Sequence, residues 1–408
     1  MVKHLSGQVM QINVDLHIHS RYSMATSNNM KLSVIAEQAY KKGIQLVGSG
    51  DCLHPKWRSE LRQLEKVDCA FRYDRTYFVP TVEVEDASRV HHLILVPSLS
   101  KAEELYETFK KHSLNIDTDG RPTVKLTGEE IASAAKESGS LIGPAHAFTP
   151  WTGVYAYYNS LSECYGSLVT YISFVELGLS ADTSYADPIS DLRRLTFLTN
   201  SDAHSPWPNK FAREFTRVEV ENIGFDELKK AILRTEGRRP VLNVGLFPGK
   251  GKYNESACIR CAKHYTLKKA IALSWRCKCG GRIKKGVKDR AAELADVETP
   301  SHRPPYLHTI PLSEIIALSL GYSSSKNKTV QGAWEKLITA FGSEVNVLVD
   351  VDLDKIDFVD ERITKAIKAF RDGRVILHPG GGGKYGCIEL PPASQTNKSG
   401  GQSSLGDF

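Results

Sequence analysis

No apolar run in the sequence approaches the roughly 18 residues that a membrane-crossing helix needs, and the opening stretch, MVKHLSGQVMQINVDLHIHS, has no apolar core of a secretory leader. The cytoplasm is the expected location. Internal repeats are missing as well, which sets aside solenoids and propellers. Cysteine is scarce, eight in 408 residues, far below the density of a disulfide-stapled secreted scaffold. An ATP-binding phosphate loop is also lacking. The stretch His378-Pro379-Gly380-Gly381-Gly382-Gly383-Lys384-Tyr385 invites one, but Tyr385 follows the Lys where Ser or Thr is needed, and His378 stands where the first Gly belongs. No ATP and no membrane are expected as partners.

What is present is an ordinary soluble composition, with enough chain for two or three domains. The first 240 or so residues alternate short apolar strands with helical patterns. Residues 33–42 read as a helix stopped by Gly43, and 44–47 as the strand that follows. Thr127 and Glu130 form a capping box, Gly139 suits the helix end, and a strand starts at Leu141. Residues 192–195 close a helical stretch before the strand 196–199. Such β-then-α units imply a mainly parallel sheet, open or closed into a barrel. The pattern breaks around residues 247–251. Further on, 312–320 and 361–371 read as helices and 345–349 as a strand, and 394–408 form a polar tail expected to be disordered. The predicted organisation is 1–247, 248–290, 291–393 and the tail 394–408.

The formal charge of +6 is mild until it is located. From Lys250 to Arg290 thirteen Lys or Arg face two acids, a local net of +11, leaving −5 for the rest of the chain. Such a footprint suits a module that holds a polyanion. The same segment carries Cys258, Cys261, Cys277 and Cys279. Two closely spaced thiolate pairs can each bite one tetrahedral ion, so a structural Zn²⁺ is expected there. Lys263, Lys268, Lys269, Arg276 and Lys278 surround His264, Tyr265 and Trp275, a mixture of cations and aromatic faces that fits a DNA grip. Trp275 equally fits the core of the small module.

In Val14-Asp15-Leu16-His17-Ile18-His19 the alternation sets Asp15, His17 and His19 on one strand face. Two imidazoles at i and i+2 can converge on one ion. The grammar recurs in Glu83-Val84-Glu85 and Asp202-Ala203-His204, with single candidates at Asp51, His54, His91, His92 and His146. Each follows or ends a predicted strand, and parallel strands gather their C-terminal ends at one mouth. A mixed His, Asp and Glu set suits Zn²⁺, Mn²⁺ or Fe²⁺ better than Ca²⁺.

DLHIHS, GSGDCLHP, TVEVE, VHHLILVPS, GPAHAFTPW and TNSDAHS together resemble the polymerase-and-histidinol-phosphatase (PHP) phosphoesterase superfamily. The resemblance implies an α/β fold, a distorted β/α (TIM-like) barrel that holds up to three metal ions and hydrolyses phosphoesters. It implies that His17 and His19 open the site, Glu83 bridges metals, Asp51, His92 and His146 complete it, and Asp202 and His204 close it. His92 is preferred to His91 because the family's histidine directly precedes the apolar run, here Leu93-Ile94-Leu95. His54 stands as a substitute ligand, since Cys52 and Leu53 separate it from Asp51. Zn²⁺ is expected in this cluster, with Mg²⁺ or Mn²⁺ as alternatives at the catalytic positions.

The order of a PHP barrel, a basic four-cysteine module and an α/β C-terminal region carrying RPPYLHTIPLSEIIALSLG and GGGGKYG resembles the endonuclease Q family over essentially the whole chain, with ELGLSAD and SDAHSPWP as further signatures. The resemblance implies a nucleoid-associated DNA repair endonuclease that nicks 5′ of deaminated bases (uracil, hypoxanthine, xanthine) and of abasic sites, on duplex or single-stranded DNA. His17, His19, Glu83 and Asp202 are then the catalytic metal holders. Gly178, Leu179 and Ser180, following the predicted strand 172–177, open at the same mouth and are the candidate base pocket. The end of the chain has the form QxxLxxF through Gln402, Leu405 and Phe408, which resembles peptides that hook onto a sliding clamp. Two rival readings are a PHP-type phosphatase of a small phosphoester and a non-catalytic DNA-binding factor. The +11 segment counts against the first, the near-complete ligand set against the second.

Overall fold

The computed structural model describes residues 9–298 and 302–392; Gln402, Leu405 and Phe408 lie outside the described residues. Seven short strand positions close a barrel: Met10–Asp15, Leu46–Gly48, Thr76–Val79 continued past Pro80 by Thr81–Glu85, His91–Leu95, Leu141–Pro144, Phe174–Glu176 and Thr196–Leu198. The first three pair in parallel, through Val14 with Leu46 and Leu46 with Tyr77. The last two also pair in parallel, Val175 opposite Phe197. Closure comes from backbone bonds of Ser173 N–H to Ile142 O, Ala147 N–H to Glu176 O, and His19 N–H to Ala203 O, each about 3.0 Å. Val14, Leu46, Val79, Leu93, Leu141, Phe174 and Leu198, one from each position, fill the interior with all of them buried. The expected distorted barrel is thus present.

One strand departs from the parallel pattern. His91–Leu95 runs antiparallel to both Thr81–Glu85 and Leu141–Pro144, so it offers its first residues, not its last, to the mouth. Leu93 and Leu95 point inward, and with a period of two His91 shares their face while His92 joins Ile94 outside.

The local signals hold where they are local. Leu32–Lys42 ends at Gly43, whose φ of 88° is left-handed. Thr127 caps Gly128–Glu137 with both bonds of the capping box in place. Leu312–Leu320 and Glu361–Arg371 are helices as expected. The strand expected at 345–349 is not formed; Asn346–Asp350 is a π-helical turn. The β-branched run is overridden because the Arg371 guanidinium donates to the carbonyls of Val347, Leu348 and Val351 at 2.7–2.9 Å, satisfying groups a helix end leaves orphaned.

The C-terminal helices lock onto the barrel through a buried pair. Lys42 Nζ lies 2.7 Å from Glu344 Oε1 and also donates to Pro208 O, while Glu344 Oε2 accepts from Trp334 Nε1. The glycine run has a different cause from anion binding. It joins the strands Ile376–His378 and Cys387–Glu389 and lies backbone to backbone on the cysteine module. A Cβ at Gly380 would meet Gly251 O at 2.6 Å, and one at Gly382 would meet Cys258 O at 2.5 Å. Only glycine allows that approach.

Glu214 is fully buried beside the barrel, with Oε1 accepting from Leu246 N–H at 2.8 Å. Burial pushes its carboxyl up to about 8 from an ordinary 4.5. The unfolded chain releases this proton first, so the contribution to stability is fully present below about 4.5 and is lost as the pH rises through about 8. Glu214→Gln keeps the acceptor and removes the titration. Its melting temperature is expected to fall less than the parent's across that window, and identical pH series for the two proteins would refute the assignment.

Candidate metal centre

Glu83 stands at the middle of the barrel mouth, on the inner face of Thr81–Glu85. Its Oε1 lies 2.7 Å from both His91 Nδ1 and His146 Nε2, and 3.6 Å from His17 Nε2. Its Oε2 lies 3.3 Å from His19 Nε2 and 3.4 Å from the Arg121 guanidinium. Asp202 Oδ1 approaches the same two imidazoles, at 3.3 Å from His19 Nε2 and 3.7 Å from His17 Nε2, and also 3.7 Å from His204 Nδ1. Three overlapping ligand groups result, His17-His19-Glu83, His19-Asp202-His204 and Glu83-His91-His146.

The residues fit a divalent ion. Nε2 of His17 and of His19, Nδ1 of His146 and Oδ1 of Asp202 are buried without a hydrogen-bond partner, a costly arrangement that cations bound among them relieve. The electrostatics point the same way. Burial works against charge on His17, yet Glu176, Glu83 and Asp202 outweigh it and raise its pKa well above the ordinary range; for His19, Asp202, Asp51 and Glu83 do the same. Against their own burial, Glu83 is held well below the carboxylate range by His91 and His17, and Asp202 by His17 and His19. A site that attracts protons to imidazoles between carboxylates is a site for positive charge.

The imidazoles are oriented from behind. His17 Nδ1 lies 2.9 Å from Glu176 Oε2, which also accepts the His146 N–H, while Glu176 Oε1 accepts from Asn200. His19 Nδ1 lies 3.2 Å from Asp51 Oδ1. Such partners fix the tautomer that turns Nε2 to the ion. The backbone is strained at these points: Asp51, His146 and Asp202 have φ of 49°, 31° and 47°, conformations that surrounding packing must impose on non-glycine residues. Gly178 is needed beside them, since a Cβ there would meet His146 Cβ at 2.5 Å.

Three expected ligands stand outside these groups, and His92 falls instead in a separate buried group with Asp86 and Cys164. His92 turns away from the mouth; its Nδ1 meets the Tyr165 hydroxyl at 2.8 Å and its Nε2 meets Asp86 at 3.2 Å. His91 occupies the inner position instead, because it shares the inward face of Leu93 and Leu95. Asp51 does not join the ligand groups. Its oxygens serve His19 Nδ1, Ser20 N–H and the Ser23 hydroxyl. His54 also stays outside, its ring stacked on Tyr22 at 4.5 Å. Glu176 and Arg121 belong to the centre and were not foreseen; Glu176 ends an apolar strand as Glu83 nearly does, a signal that was available, whereas Arg121 comes from a loop without pattern.

Gly178, Leu179 and Ser180 follow Phe174–Glu176 to the mouth, and Leu179 and Ser180 border a cleft of about 220 Å³ with Trp151, Tyr253 and Tyr385 on its walls. In the module, Cys258 and Cys279 Sγ atoms lie 3.5 Å apart and Cys261 and Cys277 3.6 Å apart, close to the roughly 3.8 Å edge of a tetrahedron with Zn–S of about 2.3 Å. All four sulfurs lie within 4.8 Å of one another. The Tyr265 hydroxyl, 3.1 Å from Cys277 Sγ, pulls that thiol down toward the thiolate a metal requires. Lys263, Lys268, Lys269, Arg276 and Lys278 are all exposed. Trp275 instead packs against the module's core of Cys258, Tyr265, Ala270, Cys277 and Ile283.

Residues 311–374 match the family described as MJ0043 C-terminal domain. The chain is 42% identical over 275 residues to the uncharacterized protein MJ0043 of Methanocaldococcus jannaschii, an alignment covering 65% of this chain and 34% of that protein. It spans about a third of that relative's length. Among solved structures, the lesion-specific endonuclease PfuEndoQ from Pyrococcus furiosus superimposes with a TM-score of 0.92 at 49% identity, over 95% of this chain and 98% of that one. An endonuclease Q complex with a 27-mer duplex bearing an abasic lesion at the active site superimposes at 0.88, again with 49% identity, over 95% and 99% of the two chains. Likeness of that extent, in fold and in sequence together, is what common descent leaves: the chain belongs to the endonuclease Q family.

Proposed function

We propose that the chain is a metal-dependent DNA repair endonuclease that hydrolyses the phosphodiester on the 5′ side of uracil, hypoxanthine and xanthine and of abasic sites. The observation that carries this reading is the cluster of orphaned imidazoles and carboxylates around Glu83, in a chain 49% identical to an enzyme held in complex with an abasic duplex. His17, His19, Glu83, His91, His146, Asp202 and His204 would hold Zn²⁺, Mn²⁺ or Mg²⁺. Ions bound there supply a polarised water and neutralise charge on the phosphate and the leaving oxygen.

The remaining tasks fall to the protein. Glu176 and Asp51 keep His17 and His19 facing the centre. Extrusion of the damaged nucleotide exposes the adjacent phosphodiester, and the cleft beside Leu179 and Ser180, walled by Trp151 and Tyr253, suits a displaced base. The exposed cations of the cysteine module suit the flanking backbone. Gln402, Leu405 and Phe408 as a sliding-clamp hook belong to this proposal on sequence grounds alone.

The test uses end-labelled duplexes carrying one uracil, one hypoxanthine, one abasic site or no lesion, with Mg²⁺ or Mn²⁺. A single nick 5′ to each lesion and none in the undamaged duplex is expected. No nick, together with phosphate release from small phosphomonoesters, would replace this reading with the phosphatase one.

A further inference from the structure

Arg121 brings to the metal centre a charge of the sign the site is built to bind. Among the described residues, no other Lys or Arg comes within ion-pair distance of a carboxylate in the three ligand groups. Its guanidinium reaches Glu83 Oε2 at 3.4 Å through one amino group. The side chain is 29% exposed, against 1% for Glu83. A guanidinium carries five N–H donors in a planar fork and stays protonated. The rest of the fork has no protein partner among the described residues and is left for solvent or a ligand.

The loop that carries Arg121 is built against the centre. Gly120 lies on the brace behind His19: its N–H donates to Tyr22 O at 3.1 Å, and a Cβ there would collide with the Asp51 carboxylate. Pro122 O accepts from Glu85 N–H at 3.0 Å, on the strand that carries Glu83, and Val124 N–H returns to Glu85 O at 2.9 Å. The N–H of Arg121 itself donates to Asp119 Oδ1 at 3.1 Å, an oxygen that also accepts from Met24 N–H. Both neighbours of Arg121 are thus pinned to the centre, one at Asp51 and the other on Thr81–Glu85, so its donors are aimed before any ligand arrives.

Service as a counterion to Glu83 does not account for this arrangement. Cations bound among the imidazoles share the charge of Glu83 and repel a fixed positive group 3.4 Å from its oxygen. An anion lying between the ions and the guanidinium turns that repulsion into attraction on both sides. Phosphate oxygens match the fork in charge and geometry. We infer that Arg121 is a catalytic residue that holds a non-bridging oxygen of the cut phosphodiester. The inference rests on the DNA-nicking reading for the identity of the anion. In that reaction water adds to phosphorus and the bond to the 3′ oxygen breaks with its electron pair. One proton of the water ends on that oxygen and the other goes to the 5′-phosphate product or to solvent. Arg121 gives up no proton; its N–H groups follow the charge that builds on the non-bridging oxygens.

The test compares full-length Arg121→Gln and Arg121→Lys with the parent. Metal content per chain is expected to stay at the parental value in both. Single-turnover nicking of an abasic duplex should fall by about 10²–10³-fold in Arg121→Gln, the scale of losing one donor aimed at developing charge. Arg121→Lys should recover part of it, since the charge returns without the fork. Binding supplies a readout independent of turnover. Affinities are measured for duplexes already cut 5′ to an abasic site, with the lesion strand ending there in phosphate or in hydroxyl. The parent should prefer the phosphate, and in Arg121→Gln that preference should shrink by about tenfold, the loss of a charge-assisted hydrogen bond. If Gln at this position unfolds the chain, Arg121→Lys carries the same comparisons, with smaller effects in the same direction. Loss of metal together with activity overturns the inference and makes Arg121 a support for Glu83. A phosphate preference that is unchanged in the variants, or missing from the parent, overturns it as well. If the parent nicks no lesion yet the preference depends on Arg121, the nicking reading fails and the phosphate assignment stands.

Discussion

Asp202→Ala is expected to lower single-turnover nicking of a uracil or abasic duplex by on the order of 10³-fold or more, the scale of losing one charge-stabilising group at a reacting centre. Asp202 Oδ1 approaches His17 Nε2, His19 Nε2 and His204 Nδ1 and is buried without a hydrogen-bond partner, so its removal takes the carboxylate out of the His19-Asp202-His204 group. Glu83 alone then bridges the remaining groups. DNA affinity should hold, because the cysteine module and the cleft walls are untouched. Glu176→Gln provides the contrast. It changes the partner behind His17 and the acceptor for the His146 N–H and the Asn200 amide, and the expected loss is about 10–100-fold, typical of a residue that orients a metal ligand. Metal analysis of the two proteins should show the same order. An Asp202→Ala protein that nicks at the parental rate would remove the Glu83 cluster from the chemistry.

The contrast between these two acids shows where sequence reading stops. Asp202 was visible because it lies two residues from a histidine at the end of a strand. Glu176 has no such neighbour; its partners, His17, His146 and Asn200, arrive from three other strand ends. His91 and His92 are adjacent and both suit a strand, and choosing between them requires knowing which face of His91–Leu95 turns inward, which only barrel closure decides. Asp51 was found but given the wrong task, since one side chain's length separates binding an ion from bracing the imidazole that binds it. The helices 312–320 and 361–371 were legible to the residue because their signals are local. The turn at Asn346–Asp350 was not, because Arg371, which satisfies its carbonyls, comes from another helix. The glycine run, excluded as a phosphate loop by Tyr385 and His378, hid its actual cause for the same reason: it answers to Gly251, Glu255 and Cys258, distant in sequence and touching in space.

Cys277→Ser is expected to remove one bound zinc per chain and, with it, the fold of residues 250–290. The module buries five side chains in its core, two of them cysteines. So small a core cannot offset the entropy of ordering the segment without a metal, and zinc sites in modules of this size contribute about 10–16 kcal/mol. Cys277 is the sensitive position, since its sulfur also accepts from the Tyr265 hydroxyl and the Cys279 N–H. Loss should spread to the strands Ile376–His378 and Cys387–Glu389. Their glycine loop is held by Glu255 N–H on Gly380 O and Gly383 N–H on Lys252 O. The barrel, with its own interior cluster, should keep its melting transition. Limited proteolysis is then expected to cut within 250–290 and near 380–386 while sparing the barrel. DNA affinity near 0.1 M salt should fall by about 10²-fold as the cations of Lys263, Lys268, Lys269, Arg276 and Lys278 lose their fixed arrangement. A Cys277→Ser protein that retains its zinc, its protease resistance and its DNA affinity would show that the four sulfurs lie together for packing alone and that the grip on DNA lies elsewhere.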